Sequence, residues 1–430
     1  MASTFFSAFN GSTTQLYKLG GDQSVTQWTA IDDIFPSDLT EFDGNVWFNG
    51  NAATQGLQLY KLGFDGSVTK WTALNTAGGG LGPRDLTDFN DALWFNGFTP
   101  TEGRQLYKLG NDGSVTKWTA LNTGGLVGLD PFNLTDFNNA MWFDGFTATQ
   151  GIQLYKLGFD GSVTQWTAIN PGGGGLNPSN FAEFNGNLWF NGVTPTQGDQ
   201  LYKLGFDGSV TQWTAINTGG GGLGPQDLTE FDGNAWFSGF AGGALGGQLY
   251  KLGFDGSVTQ WTAINNLFPN ADGNDSFTTF NDALWFTGFA PGQGAQLYKL
   301  GFDGSVTKWT AINTGGGGLN PRDLFTFANA LWFNGQTASG GQLFKLGADG
   351  SVTQWTAVPG GFSPELVSQA AGDPDSTPSS IFENAAWLQG TSNATGQELY
   401  KLGADGSVTL WKDINPGPGS SSPGDWARFA

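Results

Sequence analysis

The sequence predicts an all-β fold: a single closed β-propeller of nine four-stranded antiparallel blades, the first completed by the C-terminal strand. Three observations predict it. A stretch typified by residues 58–73 recurs nine times, with its aromatic at Tyr17, Tyr60, Tyr107, Tyr155, Tyr202, Tyr250, Tyr298, Phe344 and Tyr400. The spacings are 43, 47, 48, 47, 48, 48, 46 and 56 residues, and a fixed period of this size means an array of one supersecondary unit. Within each period, short apolar runs alternate with Asn/Asp and Gly turns, and the two ends of the chain each carry part of a unit.

Residues 85–120 serve as the template. Asp85 to Phe89 is a first short run, closed by the Asn90-Asp91 turn. Ala92 to Asn96 is aromatic and strand-like, and a loop follows from Gly97 to Gly103. Gln105 to Leu109 leads into the Asn111-Asp112-Gly113 turn, and Ser114 to Ala120 ends the unit. No helical period competes with this alternation. Four antiparallel strands repeated around an axis make a propeller blade. The units are residues 4–31 with 424–430, then 38–74, 85–121, 133–169, 180–216, 227–264, 276–312, 323–358 and 379–414.

The tryptophans mark two positions of the unit. Nine stand in the fourth strand, from Trp28 to Trp411, and eight in the second, from Trp47 to Trp387. All seventeen read as inter-blade core. The eighteenth, Trp426, lies in a segment, Asp425 to Phe429, that aligns with the first strand Asp38 to Phe42. The chain opens at a second strand, Thr4 to Ala8, so the C-terminal segment supplies what the first blade lacks. That closure removes a free sheet edge.

Composition excludes several functions. The formal net charge is −20, and nine of the seventeen basic residues are the dispersed repeat lysines Lys18 to Lys401. Nucleic acid and anionic membrane both need clustered Lys and Arg, so neither is an expected partner. There is no Cys and no His, which removes thiol and imidazole chemistry and the usual zinc sites. No apolar run is long enough for a membrane span. The N-terminal residues lack the basic and apolar regions of a Sec signal.

Glu398-Leu399-Tyr400-Lys401, Asp405-Gly406-Ser407, Trp411-Lys412-Asp413-Ile414-Asn415-Pro416-Gly417 and the Ser420-Ser421-Ser422-Pro423 link resemble the bacterial ELWxxDGT repeat family. The resemblance spans all nine repeats and is closest at 398–423. Elsewhere Gln replaces Glu, Tyr replaces Trp, and the link is Gly-rich at Gly172 to Gly175, Gly219 to Gly222 and Gly315 to Gly318. It implies a propeller-like fold and a bacterial surface or secreted setting, with the cytoplasm as the alternative. It supplies no catalytic residues.

Two groups of residues are candidates for binding. On the face of the second–third loops and the crossovers stand Arg84, Thr101, Arg104, Thr149, Gln150, Thr196, Gln197 and Arg322. Hydrogen-bonding side chains flanked by aromatics suit a sugar or cell-surface glycan. In the first strand the same position carries Glu41, Asp88, Asp136, Glu183 and Glu230, then Thr279, Thr326, Ile381 and Arg428. Five successive carboxylates facing one channel would repel unless solvated or bridged by a hard cation, for which calcium is the candidate; no other cofactor is expected. Asn270 to Ser276 and Asp373 to Ser376 break the repeat but match no calcium-loop spacing. Near-identical blades suit multivalent binding rather than one catalytic constellation, and carboxylate-only chemistry is the sole enzymatic option. The sequence therefore predicts a non-catalytic, lectin-like module. The alternative is a scaffold that self-associates without a small-molecule ligand.

Overall fold

A computed structural model describes residues 3–28, 34–121, 127–170, 174–216, 221–242, 246–262, 267, 269, 277–312, 317–366 and 381–429. The breaks at 270–276 and 373–376, and parts of the Gly-rich crossovers, lie outside them. The fold is a nine-bladed β-propeller of antiparallel blades, eight of four strands and one of five. The strand Gly424–Phe429 completes the first blade by pairing with Ser3–Phe9, in register Ser3↔Phe429, Thr4↔Arg428 and Phe5↔Ala427.

Contacts divide the chain into two compact units. One comprises residues 1–176, 366–389 and 394–430, and the other 177–365 and 390–393. The first holds blades 1 to 4 and most of blade 9, and the second holds blades 5 to 8.

Blade 3 represents the rest. From the inner edge outward its strands are Arg84–Asp88, Ala92–Thr99, Gly103–Gly110 and Val115–Lys117. The expected second–third loop is mostly strand: pairing runs on to Thr99↔Gly103, leaving a tight turn. The outermost strand is shorter than expected because a side chain takes over the ladder. Leu106 N–H donates to the Thr119 hydroxyl (3.0 Å) rather than to a carbonyl. That hydroxyl donates in turn to Gln105 Oε1 (2.8 Å), which also accepts from Leu121 N–H (3.1 Å), while Gln105 Nε2 donates to the carbonyls of Leu121 and Glu102. The fully buried glutamine thus has its main polar groups satisfied, as burial demands. Gln58, Gln153, Gln200 and Gln296 make the same network.

The two tryptophan positions part company. Second-strand tryptophans are buried, and Trp94 donates to the Phe89 carbonyl (3.0 Å). Most of those in the outermost strand lie at the surface, Trp71 being 37% exposed, while Trp28, Trp213 and Trp411 are half-buried against the core, so the expectation of a core role for all seventeen is corrected. Trp71 packs edge-on against Trp47 (5.2 Å, 89°), with Lys61 Nζ 5.2–5.4 Å from both rings. A cation over desolvated indole faces adds modest stability and accounts for the dispersed lysines. Trp71 Nε1 donates to the carbonyl of Gly113, in the next blade's third–fourth turn (2.9 Å). That glycine has φ +79°, and a Cβ there would meet Trp71 Cζ2 at 2.8 Å. Trp28, Trp118, Trp213, Trp261 and Trp309 repeat the link, and Trp411 closes onto Gln23 of the first blade (2.8 Å).

Candidate functional site

The innermost strand of most blades begins with a bulge. In blade 3 the register shifts between Arg84 and Thr87, and Asp85 sits at φ 54°. Asp and Asn tolerate this left-handed conformation better than other side chains. Asp38, Asn133, Asn180, Asp227, Asp323 and Asp425 take equivalent positions with φ between 49° and 57°. The bulge turns these side chains toward the crossover end of the second strand, where Asn49, Asn96 and Asp144 are buried.

In blades 1 to 4, within the first unit, this gathers charges of both signs. Asp38 and Asp85 are each pushed up to about 6, chiefly by burial; at Asp38 the carboxylates of Asp425 and Asp85 add to the rise. Asp144 is pushed up to about 7 by burial, against the hydrogen bond from Asn133 Nδ2 (2.9 Å), with Asp85 and Asp130 raising it further. Burial also raises Asp130 and Asp425, and the Ser7 hydroxyl donates to Asp425 (3.3 Å). Arg104 crosses the cluster. Its Nη1 donates to the Gly82 carbonyl and to Asn96 Oδ1, both at 3.1 Å, and its Nε lies 4.0 Å from Asp130. Burial and Arg84 hold its pKa down. Arg84 is exposed, and its charge lowers the pKa of Asp38 and Asp85.

Two buried atoms in this region have no hydrogen-bond partner: Asp85 Oδ2 and Asn49 Oδ1. The second follows from the repeat. Asn49 occupies in blade 2 the place of Asn96, whose Oδ1 accepts from Arg104, but Leu57 stands where that arginine would be. A buried polar atom left unpaired costs about 1–3 kcal/mol.

The structure thus brings Arg84 and Arg104 together, around carboxylates rather than around the loop threonines and glutamines. Thr101, Thr149 and Thr196 are exposed at turns. Gln150 and Gln197 build the turns: their N–H groups donate to Thr147 and Thr194, and their side-chain oxygens accept from Gln165 and Gln212. Arg322 belongs to the second unit, beside Asn320. The Gly-rich crossovers are a backbone requirement. Gly80, at φ +92°, bridges Leu57, whose carbonyl oxygen would lie 2.3 Å from an added Cβ.

Glu41, Asp88, Asp136, Glu183 and Glu230 are all exposed, near the first–second turns at the opposite end of the innermost strands. Partial burial raises Glu41, Asp88 and Asp136. Among the described residues no three acidic side chains are grouped to hold a metal ion, so the expected cation ring is not assembled. Among them, too, no helix is long and apolar enough to cross a membrane.

Apart from Arg84 and Arg104, the cluster escaped sequence reasoning because its carboxylates are spread over the bulges, a second strand and a crossover of different blades. Asp144 stands where Asn49, Asn96, Asn191 and Asn334 stand elsewhere, and that departure was the available signal.

No family model and no curated protein matches the chain. Solved structures do. Dipeptidyl peptidase 4 of Porphyromonas gingivalis is similar over 86% of this chain and 58% of its own, at 11% identity and a TM-score of 0.52. A prolyl endopeptidase is similar over 76% and 49%, at 12% identity and a TM-score of 0.46. A puromycin hydrolase is similar over 85% and 57%, at 12% identity and a TM-score of 0.37. The chain spans about half the length of these enzymes, and at such identity the likeness is one of fold. The expectation of a non-catalytic, lectin-like module is corrected: dipeptidyl peptidase 4, which is like this chain in fold, is a peptidase by its name, and the Gln150 and Gln197 side chains assigned to a sugar are engaged within their turns.

Proposed function

We propose that this chain is a peptide-binding propeller. The crossover end of blades 1 to 4 receives the charged groups of an oligopeptide. One observation carries the reading: exposed Arg84 stands beside half-buried Asp38 and Asp85, and Asp85 Oδ2 is buried without a partner. Asn would fill the bulge equally well, as Asn133 and Asn180 do, without the cost of burying a charge. Aspartates kept there are matched to a cationic group arriving from outside. An ammonium supplies the missing donor, and exposed Arg84 is placed to take a carboxylate. A neutral sugar uses neither charge. Dipeptidyl peptidase 4 acts on peptides by its name, and presentation of peptides for cleavage is the setting that its likeness in fold suggests. The chain itself has no imidazole and no thiol.

Calorimetry with tri-alanine, N-acetyl-tri-alanine and tri-alanine amide tests this. Acetylation is expected to weaken binding at least ~10-fold, as is Asp38→Asn combined with Asp85→Asn, because a charge-assisted hydrogen bond is lost. Arg84→Ala is expected to weaken tri-alanine more than its amide. Equal affinity for free and acetylated peptide, or no binding of either, would sink the proposal.

A further inference from the structure

The third–fourth turns carry a second feature, independent of the peptide reading. Their consensus is Gly-Phe-Asp-Gly-Ser, and the phenylalanines point into solvent: in the second unit Phe206 is 71% exposed, Phe254 70% and Phe302 54%. Large apolar side chains in adjacent repeats, left exposed, mark interaction surfaces.

The turn does not need them. In blades 3, 8 and 9 the same position holds Asn111, Ala348 and Ala404. The closing bond is unchanged: Gly110 to Ser114 and Gly347 to Ser351 are 3.0 Å, and Gly403 to Ser407 is 2.9 Å, against 2.9 Å for Gly205 to Ser209. Inter-blade packing explains only part. Phe302 stacks on Phe231 (5.1 Å, 21°), and Asn185 Nδ2 donates to the Phe254 carbonyl (2.9 Å), so first–second and third–fourth turns share one face in this unit. Phe206 and Phe254 are nonetheless 71% and 70% exposed.

The surroundings are acidic. Asp207, Asp255 and Asp303 follow the phenylalanines, and hydrogen bonds from the hydroxyl and N–H of Ser209, Ser257 and Ser305 hold their pKa values down. Glu183, Glu230, Asp232 and Asp282 are exposed at the first–second turns beside them. Lys203, Lys251 and Lys299 lie 4.8–5.2 Å from Trp213, Trp261 and Trp309, and their charges also help to lower Asp207, Asp255 and Asp303, but the exposed carboxylates of this face outnumber them.

We infer that this face of blades 5 to 7 docks a cationic amphipathic segment of a partner protein. Its apolar stripe covers Phe206, Phe254 and Phe302, and its Lys or Arg side chains meet the flanking carboxylates. Charge complementarity selects this occupant. A second copy of the chain would set acid against acid at a net charge of −20 each, and an anionic bilayer would be repelled likewise.

The test uses a leucine–lysine amphipathic peptide with the full chain, by fluorescence anisotropy. Phe206→Ala, Phe254→Ala and Phe302→Ala together should raise the Kd at least ~10-fold while keeping a cooperative melting transition, lowered only by loss of the Phe302–Phe231 stack, since blades 8 and 9 already carry Ala there. Substitution of all three by Asn, the residue of blade 3, should do the same. Added salt should weaken wild-type binding. Equal binding by wild type and variants, or none by either, overturns the inference. So does Phe-dependent association with phosphatidylcholine vesicles, or Phe-dependent dimerisation in sedimentation, with peptide binding unaffected.

Discussion

Trp426→Ala is expected to cost about 3–5 kcal/mol, the range for truncating a buried large aromatic. Trp426 is almost fully buried and stacks on Phe6 at 4.8 Å and 9°, in a cluster with Tyr17, Trp387, Leu399 and Ile414. It joins the strand that completes the first blade to the core between blades 9 and 1. Deletion of residues 424–430 goes further, because it also removes the partner strand of Ser3–Phe9 and leaves an inner edge unpaired. The deletion should aggregate on heating or melt well below the point mutant. Thermal and denaturant unfolding check both, and an unchanged melting curve for the deletion would contradict the closure.

Asp144→Asn is expected to stabilise the protein at neutral and alkaline pH. Burial raises the Asp144 carboxyl from its ordinary 3.8 to about 7, so the folded state favours the protonated form. The native aspartate is therefore best tolerated below about pH 4, costs progressively more as pH rises toward 7, and costs a constant amount above it. Converted at about 1.36 kcal/mol per pH unit, the cost at pH 8 is about 4 kcal/mol. Asn keeps an oxygen to accept from Asn133 and already fills this position in blades 2, 3, 5 and 8. The gain in denaturant midpoint should appear between pH 4 and 7 and vanish below pH 4. A gain independent of pH would mean that the carboxyl titrates normally.

The architecture was legible because it rests on period and turn chemistry, which a single chain displays. The aromatic of the repeat fixes the blade count, and the match between Asp425–Phe429 and Asp38–Phe42 announces the closure. What the sequence hid depends on packing. Gly97 to Gly103 looks like a loop, yet pairs almost to its tip. Trp71 and Trp94 are the same residue type in similar apolar runs, but one faces solvent and donates to a neighbouring glycine while the other is core. The site was half legible. Arg84 and Arg104 were visible as the rare arginines of a lysine-based repeat, but their partners were not. Asp38, Asp85, Asp130, Asp144 and Asp425 converge through bulges and crossovers of several blades, and sequence spacing carries no trace of that convergence. The carboxylates that were singled out, Glu41 to Glu230, share a repeat position but not a site.

The most direct test of the peptide-binding reading is the affinity of tri-alanine measured from pH 5 to pH 8. Asp38 and Asp85, each pushed up to about 6, receive an ammonium only when ionised, and the peptide's own ammonium stays charged over most of that range. The account predicts that binding tightens as pH rises through about 6 and then levels, and that Asp38→Asn with Asp85→Asn flattens the profile. Affinity independent of pH in the wild type, or a profile unaltered in the double variant, would contradict it.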